Sequence, residues 1–193
     1  MTLPEFSQAL RPQPFPHAIQ EKALSDADSQ AILDWFETSA PWKLKIADFY
    51  QQYEFSFHGL HLPESINAIF STVSVGALRK RVERLFGVNL SAKVDICAHK
   101  LISNQVVKIH NDFIDGQETH RVLIQLNRGW TEEYGGILMI FSKNTSESLH
   151  SAFLPLHNTS FAFEISPKSF HAVSSIKHGE RFTLVFSFYK AEE

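Results

Sequence analysis

His110, Asp112, His171 and Arg181 are the residues of this 193-residue chain whose types and spacing can do chemistry. Two imidazoles and one carboxylate can hold one face of a transition-metal ion and leave the opposite face open. His110-Asn-Asp112 suits that task, because residues two apart in a strand project to the same side. With ten histidines and seven aspartates in the chain, roughly a third of one H-x-D match arises by chance. Specificity therefore rests on the joint pattern. H-x-D ends one strand, His171 opens a distant one, and Arg181 opens the next across a short hairpin.

Arg181 narrows the chemistry. It stands beside Phe182, Leu184, Val185 and Phe186, where an unpaired guanidinium costs several kcal/mol to bury. A bidentate contact with a ligand carboxylate offsets that cost, and Thr183, two residues on, can add a hydroxyl to the same carboxylate. The alternatives are an internal glutamate partner or exposure at the strand end. A catalytic zinc site also accepts two histidines, a carboxylate and water. Zinc hydrolysis has no need of a buried guanidinium next door, so the pattern points to Fe(II) with a dicarboxylate co-substrate and O2.

Other candidates carry less. His58 and His61 are three apart, but His58-Gly59 reads as a turn. His120, His150, His157 and His178 read as loop or surface histidines. Arg121, Trp130 and Tyr134 flank the loop beside the expected metal and can orient an amino-acid or peptide substrate. Trp130 and Gly135-Gly136 serve equally well as structural residues.

These side chains need a scaffold. Arg11-Pro-Gln-Pro-Phe-Pro16 reads as an extended arm, outside any sheet or helix interior. Ser25, Asp26 and Asp28 cap a helix that ends before Pro41. Two short strands follow around Trp42–Ile46 and Tyr53–Phe57. A helix opens at Leu62-Pro63-Glu64, and another carries Val75, Leu78, Val82, Leu85 and Phe86 inward, closed by Gly87. Its Arg79, Lys80, Arg81 and Arg84 read as a solvated face, with a nucleic-acid or membrane contact as the sharper alternative. Beyond residue 88 the period changes to two. Strands are expected at Val88–Ile96, Leu101–His110, Glu118–Leu126, Ile137–Phe141, Ser148–Leu154, Ser160–Ile165, Phe170–Ser174 and Arg181–Tyr189. So many short strands predict a sandwich or jelly roll. The chain reads as a single domain (1–193), with an arm and helical support (1–87) before a β core (88–190).

A net charge of −3 argues against nucleic acid as a partner. The lone cysteine, Cys97, calls for no oxidising compartment. Met1-Thr-Leu-Pro-Glu-Phe shows no leader pattern, and no apolar run is long enough to cross a bilayer. A cytoplasmic protein with a small-molecule or peptide substrate is expected, with its oligomeric state left open.

The chain resembles the iron(II)/2-oxoglutarate-dependent dioxygenases, within them the prolyl-hydroxylase-like branch. His110-Asn-Asp112, His171 and Arg181 carry the resemblance. So do Arg121–Trp130 and Tyr134–Phe141, which are similar to the family's "LN…W…GG-x-L-x-I-F" stretch. The resemblance covers about residues 90–190. It implies a double-stranded β-helix (jelly roll) core, mainly β with N-terminal helices, and iron held by His110, Asp112 and His171. It implies 2-oxoglutarate chelating the metal, with its far carboxylate on Arg181. Succinate and CO2 would be released as a substrate C–H bond is hydroxylated. Asp112 favours hydroxylation over halogenation, since related halogenases lack that carboxylate. Gln125 stands where prolyl hydroxylases carry a tyrosine, and it can still hydrogen-bond a carboxylate. Leu101, Asn104 and Val107 replace their tyrosine-rich approach to H-x-D. Both departures leave the metal chemistry intact and argue against carrying over prolyl-peptide specificity. The contrasting possibility is a non-catalytic jelly-roll module that binds zinc or nickel.

Overall fold

Alternation along a strand assigns one face to the core and the other to solvent or a cavity. Here it assigns both faces. The computed structural model describes residues 4, 6 and 9–191; Met1–Leu3 and Glu5, within the start scanned above for a leader, lie outside the described residues. In chain order the elements are β1 (His17–Glu21), α1 (Asp26–Thr38), β2 (Lys43–Ile46), β3 (Gln51–Ser56), α2 (Glu64–Asn67) and α3 (Thr72–Phe86). There follow β4 (Leu90–Leu101), β5 (Val107–His110), β6 (His120–Gln125), β7 (Leu138–Phe141) and β8 (Leu149–Phe153). The last three are β9 (Thr159–Glu164), β10 (His171–Val173) and β11 (Arg181–Lys190).

The strands make two antiparallel sheets, ordered β1-β9-β6-β11-β4-β3-β2 and β5-β10-β7-β8. The architecture is mainly β with N-terminal helices, a jelly roll, as the residue pattern and the resemblance imply. On the large sheet Phe182, Leu184, Phe186 and Phe188 of β11 are buried with Val122 and Ile124 of β6. Ile32, Leu33 and Phe36 of α1 and Leu78 and Val82 of α3 belong to the same core cluster. The intervening positions, Arg181 and Thr183 on β11, Arg121 and Leu123 on β6, and His99 and Leu101 on β4, line a cavity between the sheets.

The helices start and stop where their caps dictate. The Ser25 side chain accepts a hydrogen bond from Asp28 N at 3.1 Å. Gly87 ends α3 at φ +67°, a conformation that costs glycine little. Arg79 of α3 is tied to Glu83 at 2.8 Å and donates to Leu90 O.

Three sequence expectations change. Leu101–His110 is not one strand: β4 runs unbroken to Leu101, then a turn with Asn104 at φ +70° separates it from β5, which lies in the other sheet. After the proline arm the chain does join a sheet, as β1, an edge strand along β9. An edge is where strand-adjacent prolines are tolerated. Finally, β10 and β11 are no hairpin, because they lie in different sheets. That crossing puts His171 and Arg181 on opposite walls of one cavity.

No helix among the described residues is long and apolar enough to cross a membrane.

Candidate metal centre and co-substrate pocket

Pairing of β5 with β10 sets His110 directly opposite His171, their ring centroids 4.2 Å apart. Each Nδ1 meets a backbone carbonyl: Lys108 O at 2.9 Å for His110 and Ser169 O at 2.8 Å for His171. A carbonyl only accepts, so Nδ1 carries the proton and both Nε2 atoms present lone pairs inward.

Asp112 reaches them by a different route from the one expected. The strand ends at His110, and Asp112 sits beyond it with φ +58°. A left-handed turn, not the strand pleat, brings the carboxylate back. Asn111 stabilises that turn. Its Nδ2 donates to Pro167 O at 3.2 Å, its Oδ1 accepts from Phe113 N at 3.1 Å, and Ser169 Oγ donates to its carbonyl at 2.9 Å. Asp112 Oδ1 then lies 3.3 Å from His110 Nε2 and Oδ2 3.2 Å from His171 Nε2. One ligand atom from each of the three residues lies within 4.8 Å of the others, a group able to hold a metal ion.

The electrostatics suit a cation. Burial pushes the Asp112 carboxyl up, but the Arg121 guanidinium, with smaller contributions from the two neighbouring imidazoles, outweighs it and holds Asp112 well below the usual carboxylate range. Burial, then the neighbouring His110, lowers His171 and favours the neutral imidazole a metal needs.

Arg181 opens β11 on the opposite wall, 4% exposed. Its Nε donates to Gly136 O at 2.9 Å and an Nη to Thr183 Oγ1 at 2.8 Å. No carboxylate among the described residues faces it, and desolvation alone pulls it down to about 10. The internal-glutamate and strand-end alternatives therefore fail. A guanidinium still charged at neutral pH lines a cavity of about 310 Å³ together with His110, Asp112, His171, Leu123, Leu138 and Val173.

A family model described as "2OG-Fe(II) oxygenase superfamily" matches residues 96–188. The match runs from within β4 to within β11. The family uses Fe(II), 2-oxoglutarate and O2. Solved structures share the fold of this chain. A Pseudomonas putida prolyl-4-hydroxylase superposes with TM-score 0.75 at 15% identity, covering 91% of this chain and 92% of that one. A Trichoplax adhaerens prolyl hydroxylase, solved with a hypoxia inducible factor oxygen degradation domain peptide fragment, gives 0.70 at 14% identity over 90% and 83%. The viral collagen prolyl hydroxylase of Paramecium Bursaria Chlorella virus-1 gives 0.64 at 14% identity over 91% and 96%.

The stretch similar to the family's "LN…W…GG" has a visible task in this chain: it builds the seat of Arg181. Asn127 Oδ1 accepts from Phe182 N at 2.6 Å while its Nδ2 donates to Pro155 O at 2.8 Å, which pins the start of β11. Trp130 Nε1 donates to Gly135 O at 2.9 Å. A Cβ on Gly136 would lie 2.9 Å from Arg181 Cδ and 2.6 Å from Ile176 Cδ1, so only glycine lets the arginine pass.

Several candidates are placed elsewhere. Trp130 is 7% exposed in the second core cluster and Tyr134 packs edge-on against it; neither lines the cavity. They are structural because the seat of Arg181 is built on them. Arg121 does line the cavity, but its guanidinium is bound by Asp112 and Glu118. Gln125 sits behind Thr183, whose hydroxyl donates to its Oε1 at 3.0 Å. Its buried Nε2 has no partner among the described residues, and it lines the adjacent cavity rather than that of the triad. His120 is no surface residue: it is 3% exposed on β6, under Phe86. His58 and His61 join no group of three or more metal-ligating side chains among the described residues.

Sequence reasoning missed the opposite wall. Lys45, Gln52 and Glu54 of β2 and β3, with Tyr50 and Phe49, line the cavity, and Phe49 stacks on His110 at 4.5 Å. Gln52 and Glu54 alternate with half-buried Tyr53 and core-facing Phe55, a signal that reads as a solvent face until a second sheet closes over it.

Proposed function

We propose that this chain is an Fe(II)/2-oxoglutarate-dependent hydroxylase acting on a C–H bond of an amino acid, peptide or small metabolite. In this reading His110, Asp112 and His171 hold the metal, and Arg181 with Thr183 grips the far carboxylate of 2-oxoglutarate. Gln125 braces Thr183 from behind, accepting its hydroxyl hydrogen bond. One observation carries the proposal: a buried guanidinium without a carboxylate faces the cavity that holds a His-Asp-His group. That donor set fits ferrous iron, and the orphan cation fits a dicarboxylate.

When bound, iron, 2-oxoglutarate and O2 together supply the oxidising power that breaks the C–H bond. The chain's own part is orientation and exclusion of water. Carbonyls of Lys108 and Ser169 fix the imidazoles, and Leu123, Leu138, Val107 and Val173 give the cavity its apolar walls. Lys45 and Glu54, paired at 2.8 Å, and Gln52, which donates to Glu54 at 3.0 Å, form a polar rim. A rim with both charges suits a substrate that carries both donors and acceptors, as amino acids and peptides do.

Anaerobic addition of ferrous iron and then 2-oxoglutarate should give the weak visible charge-transfer band of the chelate. Admitting O2 should then release succinate. A metal-loaded protein with neither band nor succinate would be a binding module instead.

A further inference from the structure

Arg121 is the charged group that touches the triad, and both of its Nη atoms are already committed. One Nη donates to Asp112 Oδ2 at 2.5 Å and the other to Glu118. The side chain is 15% exposed and projects from near the start of β6, a strand held between β9 and β11. A guanidinium with both arms on carboxylates has no fork left for a substrate. We infer that Arg121 is a positioning residue that holds Asp112 by Oδ2 and so limits this carboxylate to a single metal bond. The inference rests on the proposed metal site.

The reason lies in coordination arithmetic. A ferrous ion takes about six ligands, and two imidazoles with one carboxylate oxygen fill half of them. A keto-acid chelate takes two more, which leaves one position for a small molecule. A carboxylate can also bind through both oxygens, and that would close the last position. Both oxygens face ligand nitrogens, Oδ1 that of His110 and Oδ2 that of His171, and the guanidinium opposes two-oxygen binding by taking up Oδ2 with a charge-assisted hydrogen bond. Glu118, on the other arm, stops Arg121 from swinging away. Asp112 needs such a guard, since it stands on a turn at φ +58° rather than in the strand.

The test compares wild type with Arg121→Gln and Arg121→Lys, each checked for folding by thermal melting. Two readouts are needed: the dissociation constant for Mn2+ in the presence of 2-oxoglutarate, and the spin-resonance signal that nitric oxide gives with the anaerobic ferrous, 2-oxoglutarate-loaded protein. The inference predicts Mn2+ binding weakened by about 10- to 100-fold, the range for losing a partner that orients a metal ligand. It also predicts a smaller nitric oxide signal per bound iron. A merely structural ion pair would lower the melting temperature and leave the signal per iron unchanged, which overturns the inference. If Arg121→Gln does not fold, Arg121→Lys decides, because it keeps the charge and loses the two-armed bridge. Wild type that binds no Mn2+ would instead sink the metal reading, and the inference with it.

Discussion

A guanidinium buried without a counter-ion is a costly choice for a β-sheet core, and Arg181 makes it. The cost is recovered when a ligand carboxylate arrives. Arg181→Ala should therefore weaken 2-oxoglutarate binding to the Mn2+-loaded protein by about 2–5 kcal/mol, at least a 30-fold rise in Kd by calorimetry. Unchanged affinity would show that another group anchors the co-substrate. Thr183→Val, which removes one neutral hydroxyl, should lose about 1 kcal/mol. His110, Asp112, His171, Arg181 and Thr183 were all legible as residue types at meaningful positions. Arg121 was legible only as a charge near the site; that it faces Asp112 and Glu118 required the coordinates.

At the scale of elements, the site depends on where β11 begins. Asn127 fixes that point with hydrogen bonds to Phe182 N and Pro155 O. Asn127→Ala leaves a buried N–H unsatisfied and should destabilise the fold by about 1–3 kcal/mol in urea titrations. It should also weaken 2-oxoglutarate binding, because Arg181 adjoins the freed residue. Gly136→Ala should do both more severely, since its Cβ meets Arg181 and Ile176 at φ +65°. Stability loss without any effect on the co-substrate would separate Asn127 from the site. The motif containing these residues was visible in the sequence, whereas its structural purpose was not. Trp130 illustrates this: an aromatic beside a candidate site reads as a substrate contact until its indole is seen donating to Gly135 O.

Across the whole molecule, the interface between helices and large sheet buries a titratable group. Burial, with a smaller contribution from Lys190, pushes His120 down to about 4. An unfolded histidine titrates near 6.5, so the native state refuses a proton that the unfolded chain accepts. The associated stability is full above about pH 6.5 and is lost as pH falls toward 4, to an extent on the order of 3 kcal/mol. Urea midpoints measured with and without His120→Leu at pH 7.5 and 5 should show a gap that depends on pH. A parallel shift at both values would mean that His120 does not titrate in this window.

Local chemistry determined the caps at Ser25 and Gly87, the alternating strands after residue 88, and the order of the metal-ligand and arginine positions. These follow from interactions within a few residues, which a sequence displays directly. The turn at Asn104, the edge strand β1 and the polar wall of β2 and β3 depend on which strands become neighbours. So does the passage of the chain from β10 in one sheet to β11 in the other. Only that passage faces His171 toward Arg181 across a cavity, because a hairpin within one sheet would have laid the two residues side by side. Sequence supplied the reacting groups; pairing between distant strands decided that they share a space.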